Sequence, residues 1–137
     1  MYPEGKQILV IDDDAGRRQL SERVLLAEGF AVTAVGDGFS AIRAARRDRF
    51  LLAIASVSLP GTLDGPTTLR QLRARQPWLK ALFADAAVCR SRCPEHAGDD
   101  FIAAPFGRRE LLGCVFELLQ REAAHGRAQS WDRSRAG

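Results

Sequence analysis

The chain has 137 residues, of which 46% are hydrophobic and 27% charged, with a formal net charge of +3. That size and balance suit one soluble domain built on a single core. No segment approaches the roughly 18 apolar residues of a membrane span, and no long run of like charge marks a nucleic-acid surface, so neither partner is expected.

The opening residues, Met1 to Lys6, do not have the make-up of a signal peptide. Three cysteines, an odd number, point to a reducing cytoplasm. Lys6–Ile11 is a short apolar run stopped by Asp12, Asp13 and Asp14, and its length and branching predict a buried strand. Ala15–Glu28 follows as a helix with Leu20, Val24 and Ala27 inward and Gly29 as its stop. Phe30–Val35 is the second strand. After the Gly36-Asp37-Gly38 turn, Phe39–Arg47 reads as a short helix with Ile42 and Ala45 inward.

Leu51–Ser56 is a central strand, apolar on both faces as a parallel strand between two helix layers must be. A long loop runs from Pro60 to Pro66, with a helix beginning near Asp64 or Gly65. That helix turns Leu69 and Leu72 inward and Arg70, Arg73 and Arg75 outward, and Pro77 ends it. Leu79–Ala84 and Phe101–Ala103 are the fourth and fifth strands, and Arg108–Ala123 is the last helix. Between them Pro94 interrupts a short segment, which predicts a shortened or broken fourth helix.

Five strands alternating with helices define an α/β, doubly wound, five-stranded parallel sheet. Such sheets place their sites beyond the carboxyl ends of the strands, where the order reverses. Asp12, Asp13, Ser56, Asp85 and Ala104 all lie at such ends. The domain is expected over residues 5–124, with 125–137 a disordered polar tail.

The segment Ile8-Leu9-Val10-Ile11-Asp12-Asp13, the strand ending at Ser56 before Pro60, and the Pro105-Phe106 pair together resemble the receiver domain of two-component response regulators, a CheY-like, flavodoxin-like family. The resemblance covers about residues 5 to 123 and implies strand order 2-1-3-4-5. It implies that Asp12 and Asp13 are where a divalent cation, Mg²⁺ or Ca²⁺, would be held, without making a cofactor a requirement. Ser56 stands where the family carries its phospho-accepting aspartate. Asp85 stands at the family's switch hydroxyl, and Phe101 at its switch aromatic. Ala104, before Pro105, stands at the family's lysine, and the Ala104-Pro105 bond is expected to be cis.

With the acceptor, hydroxyl and lysine all replaced, the resemblance implies a non-enzymatic, cytoplasmic signalling module of a phosphorelay. Its partner would be a histidine kinase or an output protein. Three aspartates without the lysine carry a formal charge of −3, against −2 for the family's pocket. An alternative is therefore a cation- or ligand-responsive sensor using Asp12, Asp13 and Asp85.

Two weaker readings stand beside these. Cys89, Cys93 and His96 have ligand-like spacing, but Pro94 spoils the helix and no fourth ligand is evident. A hydrolase with Ser56 as nucleophile lacks the strand–turn–helix Gly-x-Ser-x-Gly elbow. The last helix carries apolar residues over an arc of ~200°, wider than one core-facing stripe requires. Leu112, Val115, Phe116 and Leu119 are expected to face the core. Leu111, Cys114 and Leu118 form a second stripe, expected to be a homodimer interface unless the tail, with Trp131, covers it.

Overall fold

A computed structural model describes residues 7–85 and 100–120. Among the described residues the elements run in the order β1 (Gln7–Ile11), α1 (Ala15–Ala27), β2 (Ala31–Val35), α2 (Gly38–Arg47), β3 (Leu52–Ser56), α3 (Gly65–Arg75), β4 (Lys80–Asp85) and β5 (Asp100–Ala103). A last helix, α4, covers 108–120. The fourth helix foreseen from Pro94, the Cys89/Cys93/His96 group and the tail with Trp131 lie outside the described residues.

The strands form one sheet in the order β2-β1-β3-β4-β5, and every pairing is parallel. Alternation along the strands then decides which residues meet which helices. Ile8, Val10, Leu52, Ile54 and Leu82 join Val24 and Leu25 of α1 and four residues of α4 in one core layer. Leu9, Ile11, Ala53, Ala55 and Phe83 join Ala41 and Ala44 of α2 and Leu69 and Leu72 of α3 on the other. Strands apolar on both faces are therefore required, and the sheet is doubly wound.

Three helices start on an aspartate that bonds its own first turn. The Asp14, Asp37 and Asp64 carboxylates accept from the backbone N–H of Arg17 at 2.9 Å, Ser40 at 2.7 Å and Thr67 at 2.8 Å. Each satisfies a donor that the helix itself cannot. Pro66 lies in the first turn of α3, where its missing N–H costs nothing.

The structure departs from the sequence reading in the phase of two helices. In α1 the inward face is Ser21, Val24 and Leu25, while Ala27 is exposed. In α4 the buried stripe is Leu111, Val115, Leu118 and Leu119. Leu111 and Leu118 are fully buried against the sheet, so they are not an exposed interface. Leu112, Cys114 and Phe116 flank that stripe and are only partly covered. The wide apolar arc is real, and its buried part straddles the two stripes: Val115 and Leu119 face the core as expected, and Leu111 and Leu118 join them there.

Candidate functional site at the carboxyl end of the sheet

The order reversal lies between β1 and β3. Helix α1 leaves β1 on one side of the sheet, whereas the helices after β2 and β3 pack on the other. Register pairs Ile11 with Ala55, so the next residues, Asp12 and Ser56, emerge as neighbours at the edge of this crevice. Ser56 in turn pairs with Ala84, and Asp85 with Ala103. The topology therefore gathers Asp12, Ser56, the Asp85 backbone and Ala104 at one end of the sheet. The side chain of Asp85 lies outside the described residues.

Asp12 is buried and fully engaged. Its Oδ2 accepts from Arg17 Nε at 2.5 Å, and its Oδ1 from Arg17 Nη2 at 3.0 Å and from the Asp14 N–H at 2.9 Å. Its backbone carbonyl accepts from Arg18 Nη1 at 2.7 Å. The Arg17 guanidinium thus makes a two-pronged contact matched to a carboxylate, with side-chain exposures of 21% for Arg17 and 6% for Asp12. Asp13, by contrast, points to solvent and is exposed. Asp14 caps α1, and the bond from the Arg17 N–H is the main cause that holds its carboxyl below the ordinary value of 3.8.

Ser56 is buried, 2% exposed, and its hydroxyl donates to the carbonyl of Ser58 at 3.0 Å. A carbonyl oxygen is no base, so this contact does not make Ser56 a nucleophile. The Ala104-Pro105 peptide is cis, as expected from the resemblance. Phe101 is partly buried and stacks on Phe83, with ring centroids 5.5 Å apart and planes 27° apart. Beside the site an open groove of about 370 Å³ runs between Arg17 and Leu20 of α1 and the Ala104-Pro105-Phe106 turn.

A divalent cation fits this arrangement poorly. Hard cations need oxygen lone pairs facing a common point, and the Asp12 oxygens are already turned to the guanidinium. Among the described residues no three His, Cys, Asp or Glu side chains are grouped to hold a metal.

Arg17 is the residue of this site that the sequence reading missed. Its positive charge offsets that of the Asp12 carboxylate it contacts. A signal for it existed: the first turn of α1 holds no acid, and an arginine there opposes the helix dipole unless a carboxylate holds it.

A parallel sheet in this order, with an acidic residue after β1 and a cis-proline turn after β5, defines a receiver-type signalling domain. The sequence profile of the response regulator receiver domain matches residues 8–116, and the chain belongs to that family. It is 35% identical over 117 residues to the probable transcriptional regulatory protein TcrX of Mycobacterium tuberculosis, covering 83% of this chain and 50% of that protein. It is also 35% identical over 118 residues to the DNA-binding response regulator MtrA of Mycolicibacterium paratuberculosis, covering 85% of this chain and 52% of that one. The chain thus spans about half the length of the curated relatives it matches.

Solved structures agree on the fold. A CheY-like receiver domain protein from Methanospirillum hungatei superposes with a TM-score of 0.80 at 22% identity, covering 88% of this chain and 98% of that one. NtrX from Brucella abortus gives 0.85 at 24% identity, covering 93% and 29%. Among the described residues no helix is long and apolar enough to cross a membrane.

Proposed function

We propose that this chain is a receiver module of a two-component phosphorelay that accepts no phosphoryl group and acts by binding a protein partner. The observation that carries this reading is Ser56: it ends β3 beside Asp12, buried, with its hydroxyl committed to the Ser58 carbonyl. A neutral hydroxyl there has neither the charge nor the nucleophilicity of a carboxylate. Ala104 supplies no cation where the family has its lysine, which further supports the reading. The partner would be a histidine kinase or an output protein, met in the cytoplasm. The competing cation sensor at Asp12, Asp13 and Asp85 is disfavoured by the Arg17 fork on Asp12.

Intact-mass measurement after incubation with acetyl phosphate and Mg²⁺ tests the chemistry. No added phosphoryl mass is expected, and Ser56→Asp alone should be modified poorly because Ala104 remains. A stoichiometric, base-labile phosphoryl adduct on an aspartate of the wild-type protein would refute the proposal.

A further inference from the structure

We propose that Arg17 is a tethered cation that takes the place a divalent ion would occupy beside Asp12, so that this end of the sheet is set without metal. The inference rests on reading the crevice as the receiver's reaction site, and it deepens that reading by naming what fills it. Three observations support it. The guanidinium contacts both Asp12 oxygens, at 2.5 and 3.0 Å, the bidentate geometry that gives such pairs their strength. Arg17 comes from the first turn of α1, where a cation is unfavourable against the helix dipole and needs a local reason to stay. The adjoining turn carries Ala104, so the position of the family's lysine supplies no second cation to Asp12.

A guanidinium and a hydrated Mg²⁺ are alternatives at this carboxylate. Both require its lone pairs, and as like charges they repel at contact distance. The tethered group has the advantage of high local concentration, since it is five residues away in the chain. Its effect is to neutralise Asp12, anchor the start of α1 to the end of β1, and form one wall of the groove facing Pro105 and Phe106. A partner reading that surface would meet the same shape at any divalent-ion concentration.

The test is calorimetric titration of Mg²⁺ into four proteins: wild type, Arg17→Gln, Ser56→Asp, and Ser56→Asp with Arg17→Gln. Ser56→Asp places a second carboxylate beside Asp12, giving a cation a reason to bind. The double variant should bind Mg²⁺ at least about tenfold more tightly than Ser56→Asp alone, because the competing charge is gone. Adding Asp12→Asn should abolish that gain. Equal affinities with and without Arg17, or a gain that survives Asp12→Asn, would overturn the proposal. Should the Arg17→Gln proteins fail to fold, the melting temperature of the wild type decides. It should be unmoved by millimolar Mg²⁺, and a clear rise would count against Arg17. A phosphoryl adduct together with an intact tenfold gain on removing Arg17 would defeat the proposed function alone, whereas equal Mg²⁺ binding without any adduct would defeat Arg17's role alone.

Discussion

Gly65 lies directly against the backbone of Ser56. A Cβ on Gly65 would collide with the Ser56 carbonyl oxygen and stand 3.0 Å from both the Ser56 carbonyl carbon and the Val57 Cα. The Gly65 N–H donates to the Val57 carbonyl at 2.9 Å, which fixes the start of α3 to the loop leaving β3. Both groups in conflict are backbone, so neither can swing away. Gly65→Ala should therefore destabilise the fold by about 1–3 kcal/mol through overpacking, read as a lower denaturant midpoint with an unchanged slope. A variant as stable as wild type would show that the loop after Ser56 yields easily.

Gln76 closes the opposite end of the same layer. Its Oε1 accepts from the Phe50 N–H at 2.8 Å, and its Nε2 donates to the carbonyls of Ala45 at 3.1 Å and Asp48 at 2.8 Å. One buried amide thus ties α3, α2 and the entry to β3 together. Gln76→Leu keeps much of the volume but removes all three bonds, and should cost roughly 3 kcal/mol in chemical denaturation. Gln76→Glu should be no better, since its carboxylate would face two carbonyls with no proton to offer. Near-wild-type stability for either would show that water replaces the amide.

Asp14 gives the chain an acid-sensitive helix start. Its carboxyl is held below the ordinary 3.8, chiefly by the Arg17 N–H, with the Arg17 charge adding to the effect. For a group whose folded-state value is depressed, the stabilisation is fully present above the unfolded value and is lost as pH falls through the folded one. Asn at this position caps without a charge. The stability gap between wild type and Asp14→Asn should therefore be constant above about pH 4 and close below it. A gap that stays constant through that range would mean the Asp14 charge contributes nothing to α1.

Leu111 and Leu118 should behave as core residues. Leu118→Ala should cost about 2–5 kcal/mol, the range for truncating a buried leucine, and Leu118→Glu should abolish cooperative folding. A soluble, folded Leu118→Glu protein that merely changed its sedimentation would return this residue to a surface role.

How much of this could be read from the sequence depends on the range of the interaction concerned. The strands were legible because Ile8–Ile11 of β1 and Leu52–Ala55 of β3 are apolar runs, which only a sheet covered on both sides requires. The ends of the strands followed from the same runs, and so did Asp12 and Ser56 as neighbours. The facing of α4 did not follow. Its apolar arc is wide enough to hold two stripes, and the docking of the helix on Ile102 and its neighbours selects Leu111, Val115, Leu118 and Leu119. Arg17 escaped for a related reason. Only the turn from Asp12 into α1 brings the guanidinium back over the carboxylate, and spacing alone does not reveal that return.

A receiver with serine at the acceptor position should not respond to a phosphoryl mimic. Beryllium fluoride with Mg²⁺ imitates a bound phosphoryl group only where a carboxylate oxygen can donate to beryllium, and Ser56 provides none. Backbone amide NMR spectra of the wild-type protein with and without the reagent should therefore superimpose. Shifts centred on Asp12 and Ser56 and spreading through Phe101 into α4 would contradict the account, for they would mean that this site still carries the switch.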